Sequence, residues 1–221
     1  MLSSISENNG LSLISDEHRN IYSVGVSTGG IAEIRMAKAL ASRRVIATTI
    51  DLEGANFAQN HIDQALLSDK IEVKIEDISK PLPYVDECFD FVYARLVLHY
   101  LSKNDLEKAL QELYRVLKTN GKIFVVVRST GCLEAQTGYY KAESGMTTYA
   151  SKNGKTYSRY FHSQDSICNF LSNGRFDITY VKTYDEQLCV DFQRTQLSHN
   201  RDHLIEVYAS KPIVNRQGGY E

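Results

Sequence analysis

Apolar residues fall in short runs separated by turn residues, and their spacing alternates between that of strands and that of helices. IYSVGV at 21–26 is apolar and β-branched, the pattern of a buried strand. IAEIRMAKAL at 31–40 places apolar side chains at helical spacing, with Arg35 and Lys38 outward. RRVIATTID predicts a second strand ending at Asp51, FAQNHIDQALL a second helix, and KIEVKIED a third strand ending at Glu76 and Asp77. FDFVYARLVLHYL reads as a fourth strand that turns helical near Leu96. KNDLEKALQELYRVL is amphipathic, with Leu106, Leu110, Leu113 and Leu117 on one face. TNGK predicts the turn after it, and KIFVVVRS a fifth strand apolar enough to be buried on both faces.

This alternation across 21–128 predicts a parallel sheet with helices on both faces. Beyond Ser129 the periodicity weakens and Gly, Tyr, Ser and Thr dominate. HSQDSICNFLSNGRF predicts a short helix closed by Asn173 and Gly174. FDITYVKTYD and DHLIEVYASKP predict two late strands, joined by about 17 polar residues, too few for a helical crossover, so an antiparallel pair is expected. The fold class is therefore α/β: a doubly wound, seven-stranded sheet, mostly parallel with an antiparallel last strand. One domain is expected over 21–212. Residues 1–20 read as a loose arm or a short helix, and 213–221, without apolar pattern, as a disordered tail.

Composition narrows the function classes. The chain has 221 residues, 43% of them hydrophobic, enough for one large domain with a sizeable core. A net charge of -2 gives no bulk attraction to nucleic acid. Cys88, Cys132, Cys168 and Cys189 stand far apart without metal-ligand spacing, so free thiols in a reducing cytosol and no metal are expected. The first residues carry neither a basic stretch nor an apolar core of a secretory signal. No apolar run approaches the roughly 20 residues of a membrane span. A cytoplasmic monomer or homodimer without membrane partner is the expectation.

Open parallel sheets bind ligands beyond the carboxyl ends of their strands. The candidate residues fall there: the small residues Gly25, Ser27, Thr28 and Gly29 after strand one, Asp51 after strand two, Asp77 after strand three, and Ala94 with Arg95 at the end of strand four. Each alone reads equally well as a tight turn or a capping acid. Together the first three are strand ends of suitable polarity in the right order.

The pieces YSVGVSTGG, ATTIDLEGANFAQNHI, VKIEDISKPLPYVDECFDFVYARLVLHYL and ELYRVLKTNGKIFVVV resemble the class I S-adenosylmethionine-dependent methyltransferases, of the small type that modifies small molecules. That resemblance implies a Rossmann-like sheet with S-adenosyl-L-methionine as cofactor and S-adenosyl-L-homocysteine as product. It implies that Gly25, Ser27 and Gly29 face the methionine and ribose part, with Ser23 and Thr28 beside them. Asp51 would hold the ribose hydroxyls, Leu52 would pack on the adenine, Asp77 would accept from its amino group and Ile78 would add a backbone contact. Backbone at Ala94 or Arg95 would meet the amino-acid end. Ser23 stands where the family has an acid, and Ser27 where it has a glycine.

The family also places an acceptor-binding lid at about 129–162, where Tyr139, Tyr140 and Tyr160 are candidates to line a pocket, and Arg128 to anchor an acceptor carboxylate or phosphate. Transfer to a small-molecule acceptor needs alignment above all. His99 and His162 are the candidate bases if the acceptor must lose a proton. The alternatives are a cofactor-binding pseudoenzyme or regulatory subunit of the same fold, and a nicotinamide-dependent oxidoreductase. Residues 25–30 read G-x-x-x-G-G, which counts against the last.

Overall fold

The computed structural model describes residues 4–26, 28–150, 154–189 and 194–213. Its main sheet has seven strands in the order β3-β2-β1-β4-β5-β10-β9. These are β1 (Asn20–Val24), β2 (Arg44–Thr49), β3 (Ile71–Ile75), β4 (Phe89–Arg95), β5 (Leu117–Arg128), β9 (Asp177–Glu186) and β10 (Asp202–Ser210). β1 to β5 pair in parallel, and β10 runs antiparallel to both β5 and β9. Strand order reverses between β1 and β4, so a crevice opens beside the end of β1.

The helices α1 (Ile5–Ser12), α2 (Ile31–Ala39) and α3 (Leu52–Gln64) accompany the first half of the chain, and α4 (Lys103–Val116) and α6 (Gln164–Asn173) the second. Period-two alternation divides the buried core between the two faces. Tyr22 and Val24 of β1, with Ile123, Val125 and Val127 of β5, join Leu106, Leu110, Leu113, Ile167 and Leu171 from α4 and α6. Ile21, Phe124 and Val126 turn the other way, toward Met36 and Ile62 of α2 and α3. Local signals start the helices: Ser102 accepts from the Asp105 amide at α4, and Asp51 from the Glu53 amide at α3.

Several local expectations change. TNGK is no free turn: residues 117–128 form one strand directly after α4, and the irregularity is a bulge against β4 with Asn120 at φ 64°. The Asn120 amide bonds to Lys211 and the Lys211 amide to Gly121, so backbone pairing absorbs the turn residues. α6 does close at Asn173 with Gly174 as its C-cap, φ -73°, and the left-handed residue is the next one, Arg175, φ 69°. After β4 only a 3₁₀ turn forms, over Leu98–Tyr100. The weakly patterned segment is ordered as α5 (Leu133–Thr137) and a second antiparallel sheet of β6 (Tyr139–Lys141), β7 (Met146–Ala150) and β8 (Thr156–Arg159). The tail over 214–221 lies outside the described residues.

The polar N-terminal stretch holds α1, and α1 is bound into the domain. Glu7 is fully buried, ion-paired with Arg194 and, at 3.1 Å, with Arg35. Burial raises its carboxyl pKa, but the Arg194 and Arg35 hydrogen bonds outweigh this and hold it below the usual range. Gly10 lies so close to the sheet that a Cβ there would fall within 2.6 Å of the Tyr93 ring.

Candidate active site

A cavity of about 420 Å³ opens at the carboxyl ends of β1 to β4. Gly25 and Val26 line it after β1, Thr49 and Asp51 at the end of β2, Glu76 and Ile78 after β3, and Arg95 to Val97 at the end of β4. Tyr100 and Leu101 close its far side. The first turn is built for close backbone approach. Gly25 has φ +72°, and a Cβ there would sit 2.8 Å from Val97, so only glycine keeps the backbone open against β4.

The candidate residues from the sequence fall into three groups. Gly25, Asp51, Ile78 and Arg95 line the cavity. Asp51 caps α3 with Oδ1, 3.1 Å from the Glu53 amide, while its side chain stays exposed at the rim. The Arg95 guanidinium is held by two hydroxyls of the α1 region, with Nε donating to Ser6 Oγ and Nη2 to Ser4 Oγ, both at 2.7 Å. The N-terminal helix is therefore tied to the cavity wall.

A second group lies behind or beside the wall. Ser23 and Ala94 are fully buried. Ser23 Oγ donates to Glu33 Oε1 of α2 at 2.6 Å, a buried bond behind the cavity wall. Leu52 begins α3 and is 62% exposed. Asp77 folds its Oδ1 back onto the Ser79 amide at 2.9 Å, in a turn of its own. Gly29 sits in the 3₁₀ turn at φ 69°, with its carbonyl 3.1 Å from His61 Nδ1. Thr28 shares that turn, and Ser27 lies outside the described residues.

Glu76 is the acid of β3's end that faces the cavity. It accepts hydrogen bonds from Tyr22 and, at 2.9 Å, from Tyr84. Burial, reinforced by that carboxylate, raises both phenol pKa values. The pair Glu76-Asp77 at a strand end was visible in the sequence; the side-chain direction, set by where β3 stops at Ile75, was not.

Beyond Tyr100 lies the segment after β5. His162 pairs its backbone with β5, its amide donating to Arg128 O at 3.1 Å and its carbonyl accepting from the Thr130 amide at 3.0 Å. The Tyr160 amide donates to His99 O at 2.8 Å, and the Tyr160 ring stacks on His162 at 4.4 Å. Both histidines are buried, and His162 Nε2 has no hydrogen-bond partner among the described residues. Arg128 is already ion-paired, 2.9 Å from Asp202 and 3.2 Å from Glu134. Tyr139 and Tyr140 on β6 are 72% and 61% exposed. Cys132, Glu134 and Asp202 bring one ligand-type atom each within 4.8 Å of one another, with Arg128 bound to both carboxylates.

Burial dominates the titration of the two histidines. It lowers His162 from 6.5 to about 3, and burial followed by the charge of Arg159 lowers His99 well below its usual value. A folded-state pKa below the unfolded one means the neutral ring is favoured, so stability is full above pH 6.5 and is lost as pH falls. Each such histidine costs about 1.4 kcal/mol of stability per pH unit below its unfolded pKa. Denaturant midpoints should therefore drop steeply from pH 7 to pH 5. His162→Gln should flatten that slope by about one proton, and an unchanged slope would show that His162 titrates normally.

Comparison with known proteins agrees with this geometry. Residues 23–125 match the model of a family described as a methyltransferase domain. That match covers less than half of the chain, and the seven-stranded topology is the fold seen in S-adenosylmethionine-dependent methyltransferases of known structure. Demethylmenaquinone methyltransferases from Bacteroides fragilis are 30% identical over 112 residues, 51% of this chain. The chain spans less than half of those relatives' length, 44%. A S-adenosylmethionine-dependent methyltransferase from Methanosarcina mazei superposes with a TM-score of 0.75 at 19% identity, over 90% of this chain and 95% of that one. The geranyl diphosphate C-methyltransferase from Streptomyces coelicolor gives 0.61 at 13% identity, over 87% and 71%. At these identities the structures share the fold. Among the described residues, no helix is long and apolar enough to cross a membrane.

Proposed function

We propose that this chain transfers the methyl group of S-adenosyl-L-methionine to a small-molecule acceptor. The observation that carries the reading is one cavity, at the carboxyl ends of four neighbouring strands, that joins bare backbone at Gly25 to the Asp51 carboxylate. The cofactor is a flat base, a ribose diol and a charged amino-acid end in series. The cavity meets that sequence with apolar walls at Ile78 and Val97, an acid at Asp51 and polar backbone beside Gly25. In this reading Asp51 accepts from the ribose hydroxyls and the turn from Glu76 to Ile78 takes the adenine. Gly25 and the backbone after β4 face the amino-acid end.

The cofactor supplies a methyl group already activated on a sulfonium, so displacement needs alignment more than acid–base chemistry. The protein orients both partners: β1 to β4 hold one side of the cavity and Tyr100 with Leu101 the other. His99 and His162 are buried and neutral, and their backbone bonds join the segment after β8 to β5 and β4. Their place here is to fix that segment, and a base would come from the acceptor or from solvent. Ser23 and Glu33 are bonded to each other behind the wall and leave the pseudoenzyme alternative to the transfer assay.

Asp51→Asn should weaken cofactor binding by about 1–3 kcal/mol, through loss of charge-assisted hydrogen bonds. Calorimetry on the folded variant measures it, and unchanged affinity removes Asp51 from the site. Incubation with a methyl-labelled cofactor and a panel of small molecules, beginning with demethylmenaquinone, tests turnover. Binding without transfer to any of them would favour the non-catalytic alternative.

A further inference from the structure

Arg159, the last residue of β8, is a cation without a counter-ion among the described residues. Among the described residues, no Asp or Glu oxygen lies within 4 Å of its guanidinium, whereas Arg128, Arg194 and Lys211 each have a carboxylate. Arg43, also without one, is satisfied by the carbonyls of His18, Met36 and Ser15 at 2.7–2.9 Å. Arg159 instead lies among three tyrosine rings, its Cζ 5.0 Å from the Tyr100 centroid, 5.5 Å from Tyr149 and 5.8 Å from Tyr157. Nη2 donates to Tyr100 Oη at 2.9 Å and Nη1 to Tyr149 Oη, while Nε is buried with no partner among the described residues.

A neutral hydroxyl that accepts from a guanidinium keeps its own proton to donate. The cluster therefore concentrates a positive charge, an unused N–H and two phenol O–H groups in one place. A planar or tetrahedral oxyanion satisfies that set. Tyr100 also closes the far side of the cofactor cavity, so a ligand on Arg159 lies next to the proposed transfer site. Asp202, a buried acid that feels the charge of Arg159, is itself bound to Arg128.

We propose that Arg159, with Tyr100 and Tyr149, is a specificity-determining site that binds the carboxylate or phosphate group of the methyl acceptor. The tyrosine rings then face the acceptor's apolar body. This rests on the reading of the cavity as the cofactor site. It moves the acceptor's anchor from Arg128, whose charge is spent inside the protein, to β8.

The test uses benzoate, phenyl phosphate and neutral benzamide as probes, titrated into the full chain with and without S-adenosylhomocysteine. One anion at least should bind about tenfold more tightly than benzamide, as expected for a charge-assisted contact. The benzoate and phenyl phosphate arms decide between carboxylate and phosphate. Arg159→Gln should abolish the preference, and Arg159→Lys keep part of it, with S-adenosylhomocysteine affinity and melting temperature unchanged in both. Equal binding of benzamide, or no binding of any probe, overturns the inference. So does an Arg159→Gln variant that loses S-adenosylhomocysteine affinity or thermal stability, because Arg159 would then only pin the β6–β8 sheet to Tyr100. Wild-type protein that prefers anions but ignores S-adenosylhomocysteine would overturn the cofactor reading alone.

Discussion

Glu7→Ala lowers the free energy of unfolding by about 3–5 kcal/mol, the cost of breaking a buried ion pair from one side. Glu7 is fully buried, and its side chain meets Arg194, itself 4% exposed. Removing the carboxylate leaves the Arg194 guanidinium in a dry site with no carboxylate partner that the described residues supply. The loss reaches further than one pair. The same helix carries Ser6, which, with Ser4, binds Arg95 on the cavity wall, and Asn9, whose amide donates to Glu206 at 2.9 Å. Guanidinium titration of Glu7→Ala measures the effect. Arg35→Ala is the control: Arg35 is 49% exposed, so its loss should cost less than about 1 kcal/mol. A Glu7→Ala cost as small as the control's would mean that α1 is not part of the cooperative unit.

Gly25→Ala should cost about 2–4 kcal/mol in cofactor affinity or stability, combining left-handed backbone strain with overpacking. The added Cβ would lie 2.8 Å from both Cβ and Cγ2 of Val97, a β-branched side chain on a turn with little room to yield. The two components separate in a double mutant. Gly25→Ala with Val97→Ala should recover the packing part and leave the strain of φ +72°, a coupling that additive sites would not show. Calorimetry with S-adenosylhomocysteine, beside thermal melts, reads both. Full affinity in the single mutant would show that the turn moves freely.

The sheet was legible in the sequence because each strand is a self-contained apolar run. IFVVV has the β-branched run of a buried strand, and the short connection between the two late runs favours antiparallel pairing. The cavity's place followed from the same pattern, since strand ends locate themselves. What stayed hidden depends on contacts between distant positions. MLSSISENNG is polar, and nothing local shows that Glu7 meets Arg194, 187 positions away. TNGK has turn composition, but pairing with residues near Lys211 turns it into a bulge. The segment after Ser129 has alternation too weak to mark β6 to β8, whose stability rests on cross-strand pairs such as Tyr149 with Tyr157. Arg128 and Arg159 look alike in sequence. Only the fold shows that one is neutralised by Asp202 and that the other, among the described residues, has tyrosines in place of a carboxylate.

The central claim is that the crevice beside β1 holds the cofactor with Asp51 at its ribose. Calorimetric titration of S-adenosylhomocysteine into the wild-type chain and into Asp51→Asn tests it most directly. One-to-one binding by the wild type, about tenfold or more weaker in the variant, is the predicted result. No binding by a cooperatively folded wild-type sample, or equal binding by both, would contradict it.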